Sequence, residues 1–222
     1  FAAGAVSCRA WAAQHPKAQK RDPISVDDVL NSRAIADPLK VLDCSLVSDG
    51  GAAVVITRKD RAKDGPHKPI TLLGYGEGHA YEHISQAKDL TTSAAVQSGQ
   101  AAYAASGLTP DDMDLLQLYD CFTPALLIQI EDLGFCEKGE GGAWLASGIT
   151  LPGGSKPLNT HGGMLSYCHP GNPGAMFGLT EAITQMRGDA GERQLSDIKT
   201  TLCHAQGGIM SSHASLILGV ES

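Results

Sequence analysis

The sequence has no long apolar run, no excess of positive charge and no closely spaced pair of cysteines. A membrane-spanning helix needs about 18–20 consecutive apolar residues, so no such helix is expected. The 222 residues carry a formal net charge of -7. A protein that binds nucleic acid normally presents a basic face, so nucleic acid is not an expected partner. An acidic chain can still bind an anionic ligand through a local basic patch.

The six cysteines exclude further classes of protein. None lies in a Cys-x-x-Cys pair or in another spacing typical of metal sites, so we expect no metal. The chain is also too large to depend on disulfides, which predicts reduced thiols and a cytoplasmic protein. The first residues lack a signal-peptide pattern, and no internal repeat is visible. The missing initiator methionine suggests part of a longer chain.

The sequence does contain alternating helical and strand-like segments. Helices are expected over residues 2–15, 25–36, 93–106, 124–133 and 174–187, most of them bounded by a capping residue, proline or glycine. Strands are expected over residues 69–76, 115–119, 200–203 and 215–218, and residues 52–57 predict a short strand or a helix start. Residues 76–90 and 139–154 are expected to be loops. This alternation predicts a layered α/β protein.

The first of three glycine-rich turns with reactive side chains spans residues 159–174. It begins Asn-Thr-His-Gly-Gly and continues with Tyr167, Cys168 and His169, which precede a Pro-Gly pair and a helix. The positive end of that helix would favour a neutral imidazole on His169, which suits a general base or a hydrogen-bond donor. Alternatively, His169 is a surface residue of an ordinary turn. Cys168 is expected to be a small buried side chain.

The second turn, residues 203–208, has the sequence Cys-His-Ala-Gln-Gly-Gly. Its glycines would let backbone N–H groups approach a ligand closely, as an oxyanion hole requires. The alternative is a tight hairpin between two strands. His213 lies beyond the turn and is expected to be structural.

The third turn, residues 119–122, has the sequence Tyr-Asp-Cys-Phe at a predicted junction between a strand and a helix. Polar residues at the carboxyl end of a strand often belong to a site in α/β proteins. Alternatively, Asp120 caps the following helix.

In this order, the three turns resemble the C-terminal half of thiolases. Residues 119–122 stand where that family has Asn-Glu-Ala-Phe, or His-Asp-Cys-Phe in its sterol-carrier and lipid-transfer branch. Residues 48–53 (Ser-Asp-Gly-Gly-Ala-Ala), 131–136 (Glu-Asp-Leu-Gly-Phe-Cys) and 138–142 also resemble that branch. The resemblance implies a layered α-β-α-β-α fold. Residues 1–85 would be the end of the first half with its loop segment, and residues 86–222 the complete second βαβαβαββ half.

The resemblance also implies roles for individual residues. His169 would activate a nucleophilic cysteine and help to form one oxyanion hole. Cys203 or His204 would be the acid/base that moves the α-proton of the substrate. The backbone at Gly207 and Gly208 would form the second oxyanion hole. Two further residues, Asp120 and Asn159, would position the substrate.

Two departures from the family pattern leave the reaction open. None of the six cysteines stands in the nucleophile motif, so acyl transfer would need a cysteine supplied upstream or by a partner chain. Tyr119 replaces the family's Asn or His, and Tyr167 lies on the His169 turn, so two phenols could face one pocket. This is similar to thiolase-like aldolases of steroid side-chain degradation, which cleave a β-hydroxyacyl-CoA without an acyl-enzyme. A non-catalytic subunit that binds lipid or acyl-CoA is a third hypothesis.

The resemblance implies partners as well. Coenzyme A would enter as part of an acyl-CoA substrate, with no permanently bound cofactor. A homodimer or tetramer is expected, and the resemblance allows for a small partner protein with an OB fold and a zinc ribbon.

Overall fold

The computed structural model describes residues 1–220, so the last two residues of the domain expected over 86–222 lie outside it. In chain order the elements are α1 (Ala2–Gln14), α2 (Val26–Asn31), β1 (Ala34–Ala36), β2 (Leu39–Lys40), α3 (Lys59–Ala62), β3 (Ile70–His79), α4 (Ala95–Ser106), β4 (Leu115–Gln117), α5 (Thr123–Asp132), α6 (Gly141–Ala146), α7 (Gly163–Ser166), α8 (Gly174–Arg187), β5 (Thr200–Gly207) and β6 (Ser212–Val220). No helix in this part of the chain is long and apolar enough to cross a membrane.

A four-stranded sheet organises most of the chain, in the order β3-β6-β5-β4. β6 pairs antiparallel with both β3 and β5, whereas β4 pairs parallel with β5. Leu158 forms an isolated parallel bridge with Leu116 and extends the sheet beyond β4. With the intervening helices, the chain order is that of a βαβαβαββ unit. Its first strand begins at Ile70, so the boundary expected at residue 86 falls after that strand.

Helices cover both faces of the sheet. On one face, Ala182 and Met186 of α8 pack against Cys203 and Leu218. On the other face α4 approaches β3 so closely that a Cβ on Gly76 would lie 2.2 Å from a backbone oxygen of α4. Helices α1 and α5 contribute to the main hydrophobic cluster on that side. This arrangement confirms the layered α/β fold.

Several helix boundaries follow from local chemistry. Ser25 and Asp28 form a capping box at the start of α2, as the predicted helix start requires. Gly107 and Gly188 end α4 and α8 in the left-handed conformation, which glycine adopts without steric cost. The prediction that the second helix continues to residue 36 is wrong. That helix ends at Asn31, and the next residues form the short strands β1 and β2.

Other sequence-based predictions are also wrong in detail. No described strand pairs with residues 52–57, where Val55 is 96% exposed, because apolar β-branched residues form a strand only beside a partner. The segment expected to be a loop over residues 139–154 contains α6, whose Gly141 N–H donates to Glu131 Oε1. Strand β3 continues to His79, into the predicted loop over residues 76–90.

Candidate active site

Tyr119 and His169 form a hydrogen-bonded pair beyond the carboxyl end of β4. The phenol oxygen of Tyr119 lies 3.0 Å from Nε2 of His169, and the two rings meet edge to face. The other ring nitrogen, Nδ1, lies 2.8 Å from the Ser45 hydroxyl. The backbone N–H of His169 donates to the Ser48 hydroxyl at 3.0 Å. Both nitrogens therefore have partners, which fixes the orientation of the imidazole.

Asp120 ties the strand end to the turn that carries His169. Its buried carboxylate accepts backbone N–H bonds from Met164 at 2.8 Å and Leu165 at 3.3 Å. A Cβ on Gly163 would lie 1.9 Å from this carboxylate, so glycine is required there. Asp120 therefore caps α7. The alternative that it caps the next helix is wrong, because α5 has no side-chain cap.

The protonation states follow from burial. Burial raises the pKa of Tyr119 to about 12 and lowers the pKa of His169, since both charged forms lose solvation. At neutral pH the pair is therefore a neutral phenol and a neutral imidazole. Burial also raises the pKa of Asp120 to about 6. The His169 ring lies against Gly174, the first residue of α8, where a Cβ would be 3.0 Å from Cδ2. This is the predicted position beside a helix start.

Two cavities lie on either side of the His161 side chain. The larger, about 620 Å³, opens between the end of α1, α8 and residues 189–193, and Tyr167 and Phe177 line it. The smaller, about 10 Å³, has room for about one water molecule and borders Tyr119 and Asp120. His161 lines both.

Tyr167 does not share the small cavity with Tyr119. Its ring packs against His15, His161 and Phe177, with ring centres 4.7 to 5.7 Å apart. These contacts direct the phenol of Tyr167 into the large cavity. The two phenols, which could face one pocket according to the sequence, thus border two different cavities, and His161 lines both of them.

Comparison with known proteins decides the family. A model described as "Thiolase C-terminal domain-like" matches residues 76–220. This chain belongs to the thiolase superfamily.

Two curated relatives illustrate the chemistry found in the superfamily. The "Steroid side-chain-cleaving aldolase" of Thermomonospora curvata is 39% identical over 229 residues, covering 100% of this chain and 56% of that protein. The "Acetyl-CoA acetyltransferase" of Methanothermobacter thermautotrophicus is 35% identical over 198 residues, covering 89% and 52%. The chain thus spans about half the length of the curated relatives it matches.

Among solved structures, one named "Ltp2-ChsH2(DUF35) aldolase" superposes with a TM-score of 0.91 at 39% identity. The match covers 99% of this chain and 58% of that one. These findings confirm the resemblance and the thiolase-like fold. The relatives are thiolases or thiolase-like lyases, so this chain has the fold of a family of enzymes.

In this thiolase-like structure, Cys203 lies in a different hydrophobic cluster from Tyr119. Cys203 is buried on the sheet face that packs against α8, in an apolar cluster with Ala182 and Met186. Burial raises the pKa of its thiol to about 12. The role of acid/base expected for Cys203 therefore finds no support in its surroundings.

His204 is closed within a hydrogen-bond chain. The Met210 carbonyl oxygen, 3.2 Å from Nε2 of His213, can only accept, so Nε2 of the neutral imidazole carries the hydrogen and Nδ1 must accept. His204 Nε2 donates to that nitrogen at 2.9 Å. Nδ1 of His204 is then an acceptor for the Ser215 hydroxyl at 2.8 Å. Both nitrogens of His204 are occupied, although its ring borders the small cavity together with Tyr119 and Asp120. The role of acid/base for His204 stays a prediction, and the bond from His213 to the Met210 carbonyl fits the structural role predicted for His213.

Gly207 and Gly208 lie at the exposed tip of the β5–β6 hairpin. Gly208 has a positive φ of 57°, and the Ser211 N–H donates to the Gly207 carbonyl. They form the tight hairpin turn, and neither borders the two cavities. The oxyanion hole expected at Gly207 and Gly208 therefore stays a prediction that neither cavity supports.

Both polar atoms of the Asn159 side-chain amide form hydrogen bonds with the backbone of Leu118. Its Oδ1 accepts from the Leu118 N–H at 2.8 Å, and its Nδ2 donates to the Leu118 carbonyl at 2.9 Å. The amide thus pairs with the N–H and the carbonyl of one residue, as the backbone of a neighbouring strand would, and it joins the turn to the residue after β4. The amide is therefore occupied, and the structure does not support a substrate-positioning role.

Burial raises the pKa of every thiol above its usual range; the six are Cys8, Cys44, Cys121, Cys136, Cys168 and Cys203. A cysteine nucleophile needs a thiolate, so none of these residues has the surroundings of one. Cys168 is buried, as predicted. Within residues 1–220, no group of three or more His, Cys, Asp or Glu is placed to hold a metal ion.

Sequence reasoning missed three residues of this region. Ser45 and Ser48 contact His169 from more than 120 positions away, and no local pattern signals such pairing. His161 stood in the first glycine-rich turn, but only the structure shows that it borders both cavities. Its Nδ1 is buried with no hydrogen-bond partner, which costs about 1–3 kcal/mol unless something binds it.

Proposed function

We propose that this chain contributes the proton-transfer part of an active site that cleaves a β-hydroxyacyl-CoA by a retro-aldol reaction. The observation that carries the proposal is the 3.0 Å contact between the Tyr119 phenol and His169 Nε2. A phenol can pass a proton to an imidazole that it contacts, and the total charge of the two side chains then stays the same. A non-catalytic subunit would not need Tyr119 and His169 to meet.

The proposed reaction moves one proton. The Tyr119 oxygen takes the proton of the substrate's β-hydroxyl as its own proton passes to His169 Nε2. The Cα–Cβ bond then breaks, leaving a carbonyl product and the enolate of the shorter acyl-CoA. The pair returns the proton to Cα, so the atoms and charges balance. No acyl-enzyme forms, which agrees with the absence of an activated thiol among the described cysteines.

Acyl transfer is the second candidate. The Methanothermobacter relative is named an acetyltransferase, and the family resemblance gives His169 the role of activating a cysteine. That reaction requires a cysteine from outside this chain. The identity of 39% to a protein named as an aldolase and the phenol at position 119 favour the retro-aldol reaction.

The proposal includes partners. An acyl-CoA is the substrate, and the protein assembles as a homodimer or tetramer. The similar solved structure is named an Ltp2-ChsH2(DUF35) aldolase, which supports a small partner protein for this chain too. We expect that partner to have the OB fold and zinc ribbon implied by the family resemblance.

The test assays the full-length protein on a β-hydroxyacyl-CoA and, separately, on a β-ketoacyl-CoA with free CoA. Tyr119→Phe keeps the ring and removes the hydroxyl, so cleavage should fall by roughly 10²–10⁴. Tyr103→Phe is the matched control, because that hydroxyl donates to a backbone carbonyl of Leu133 in the core. Thiolysis without any cleavage of the β-hydroxyacyl-CoA would establish acyl transfer instead.

A further inference from the structure

The backbone of Tyr119 is held by a side chain from a different element. Tyr119 lies two residues past Gln117, the last residue of β4 that pairs with β5. Its N–H donates to Oε1 of Gln129 at 3.1 Å, and its carbonyl accepts from Nε2 of Gln129 at 2.7 Å. One side-chain amide therefore pairs with both polar backbone groups of the residue whose phenol contacts His169.

The residue before Tyr119 is held in the same manner. The N–H and the carbonyl of Leu118 pair with the side-chain amide of Asn159, at 2.8 Å and 2.9 Å. Asn159 comes from the first glycine-rich turn, whereas Gln129 comes from α5. Two amides from separate parts of the chain thus continue the pairing of β4 for two more residues.

Gln129 is itself fixed in place. Its side chain is 1% exposed and lies on α5, which contributes to the main hydrophobic cluster. Its Nε2 also donates to the Ala125 carbonyl at 3.0 Å and to Oε1 of Gln206 at 3.2 Å. Gln206 belongs to the second glycine-rich turn, so that turn is connected to Tyr119 through Gln129. A side chain held by a helix and by several bonds can fix the position of its partner.

The chemistry of the contact requires an amide. An amide carries a donor and an acceptor side by side, whereas an ionised carboxylate has no donor for the Tyr119 carbonyl and an apolar side chain has neither. Without the amide, buried backbone groups of Tyr119 would be left unpaired, and the backbone would move toward other partners. The phenol would move with it, and a proton passes to His169 only within hydrogen-bond distance.

We propose that Gln129 is a positioning residue, which holds the backbone of Tyr119 so that the phenol meets Nε2 of His169. Gln129 acts through Tyr119 and not on the substrate. The inference rests on the proposed function where it concerns the rate of cleavage. The placement of the phenol follows from the contacts alone and can be tested without a substrate.

The kinetic test uses two variants of the full-length protein. Gln129→Met has a similar length but no amide, so kcat for the β-hydroxyacyl-CoA should fall about 10- to 100-fold, the effect of a displaced catalytic group, with KM unchanged. Gln129→Glu keeps the size of the side chain. At pH 6 burial should hold its carboxyl neutral, with one donor and one acceptor, so this variant should recover most of the lost rate.

The matched control is Gln185→Met. Gln185 is a buried amide on α8 that also pairs with backbone: its Oε1 accepts from the Leu195 N–H at 3.0 Å, and its Nε2 donates to the Arg193 carbonyl at 3.1 Å. Loss of these bonds should lower the thermal midpoint about as much as Gln129→Met does, with kcat retained. Equal values of kcat in the two variants would overturn the positioning role.

An NMR measurement separates this inference from the proposed reaction. In protein labelled with ¹⁵N-histidine, the Nε2 resonance of His169 should move in Gln129→Met toward its position in Tyr119→Phe, and it should stay in place in Gln185→Met. If wild type cleaves no β-hydroxyacyl-CoA but the resonance moves, the proposed function fails and the positioning role stands. An unmoved resonance in Gln129→Met overturns that role.

A second variant keeps the test valid if Gln129→Met does not fold. Gln129→Asn keeps a polar amide in the core but is one methylene too short to reach both backbone groups of Tyr119. It should therefore lower kcat and move the His169 resonance in the same direction. Wild-type values of both would overturn the inference.

Discussion

His169 and His204 come from glycine-rich turns of similar composition, yet their surroundings give them different chemistry. His169 is half-buried, and its ring nitrogens contact two hydroxyl groups, those of Ser45 and Tyr119. His204 is 3% exposed and lies in a chain that ends on the carbonyl of Met210. A hydroxyl can reverse its role as donor and acceptor, whereas a carbonyl cannot. The partners of a histidine therefore decide whether it can move a proton.

The largest expected effect tests this difference directly. His169→Phe should lower the turnover of the proposed cleavage by roughly 10²–10⁴, because the phenol of Tyr119 loses its proton acceptor. The thermal midpoint should change little, since the ring is half-buried and keeps its packing. Steady-state kinetics and a melting curve on the full-length protein measure the two effects.

The counterpart of that variant is His204→Phe. It leaves Nδ1 of His213 without a donor and the Ser215 hydroxyl with only Ser98 as a partner, so it should cost about 1–3 kcal/mol of stability. The turnover of the folded fraction should be retained. If His204→Phe instead abolished turnover while the protein stayed stable, the distinction between the two histidines would be wrong.

The sequence predicted the fold better than the site. The glycines that follow α4, α5 and α8, and the prolines at the starts of α5 and α8, act locally, so those helices could be predicted nearly to the residue. The Tyr119 and His169 motifs could be recognised, but their contact joins residues 50 positions apart. Residues 52–57 were misassigned because strand formation depends on a neighbour that no local pattern specifies. The hydrogen-bond partners of His204 could not be predicted either, since His213 and Ser215 lie on the neighbouring strand β6.

A change of pH should separate the buried histidines from ordinary ones. Burial lowers the pKa of His161 to about 4 from an ordinary 6.5 and that of His204 in the same direction. Below pH 6.5 the unfolded chain therefore binds protons that the folded chain does not, so stability falls as the pH decreases. Asp120 acts oppositely: its pKa of about 6 adds stability as the pH falls from about 6 toward 4.

The measurement is urea unfolding at pH 7 and pH 5. His161→Phe should reduce the loss of stability between these values by about 2 kcal/mol, at 1.36 kcal/mol for each unit below 6.5. Thr201→Val removes a buried group that does not titrate and should leave the loss unchanged. An unaltered pH dependence in His161→Phe would show that this imidazole is not held neutral in the folded protein.

The smallest expected effect concerns the two serines that contact the compared histidines. Ser45→Ala removes the bond to Nδ1 of His169 but leaves the ring in place, so turnover should fall about tenfold with KM unchanged. Ser215→Ala removes the equivalent bond to His204 and should cost about 1 kcal/mol of stability without changing turnover. Ser45→Thr, which keeps a hydroxyl, should recover most of the lost rate. A serine that orients a proton acceptor affects the rate, and one inside a closed chain affects only the fold. Equal losses of stability in both alanine variants, with turnover intact, would mean that Ser45 merely packs against the imidazole.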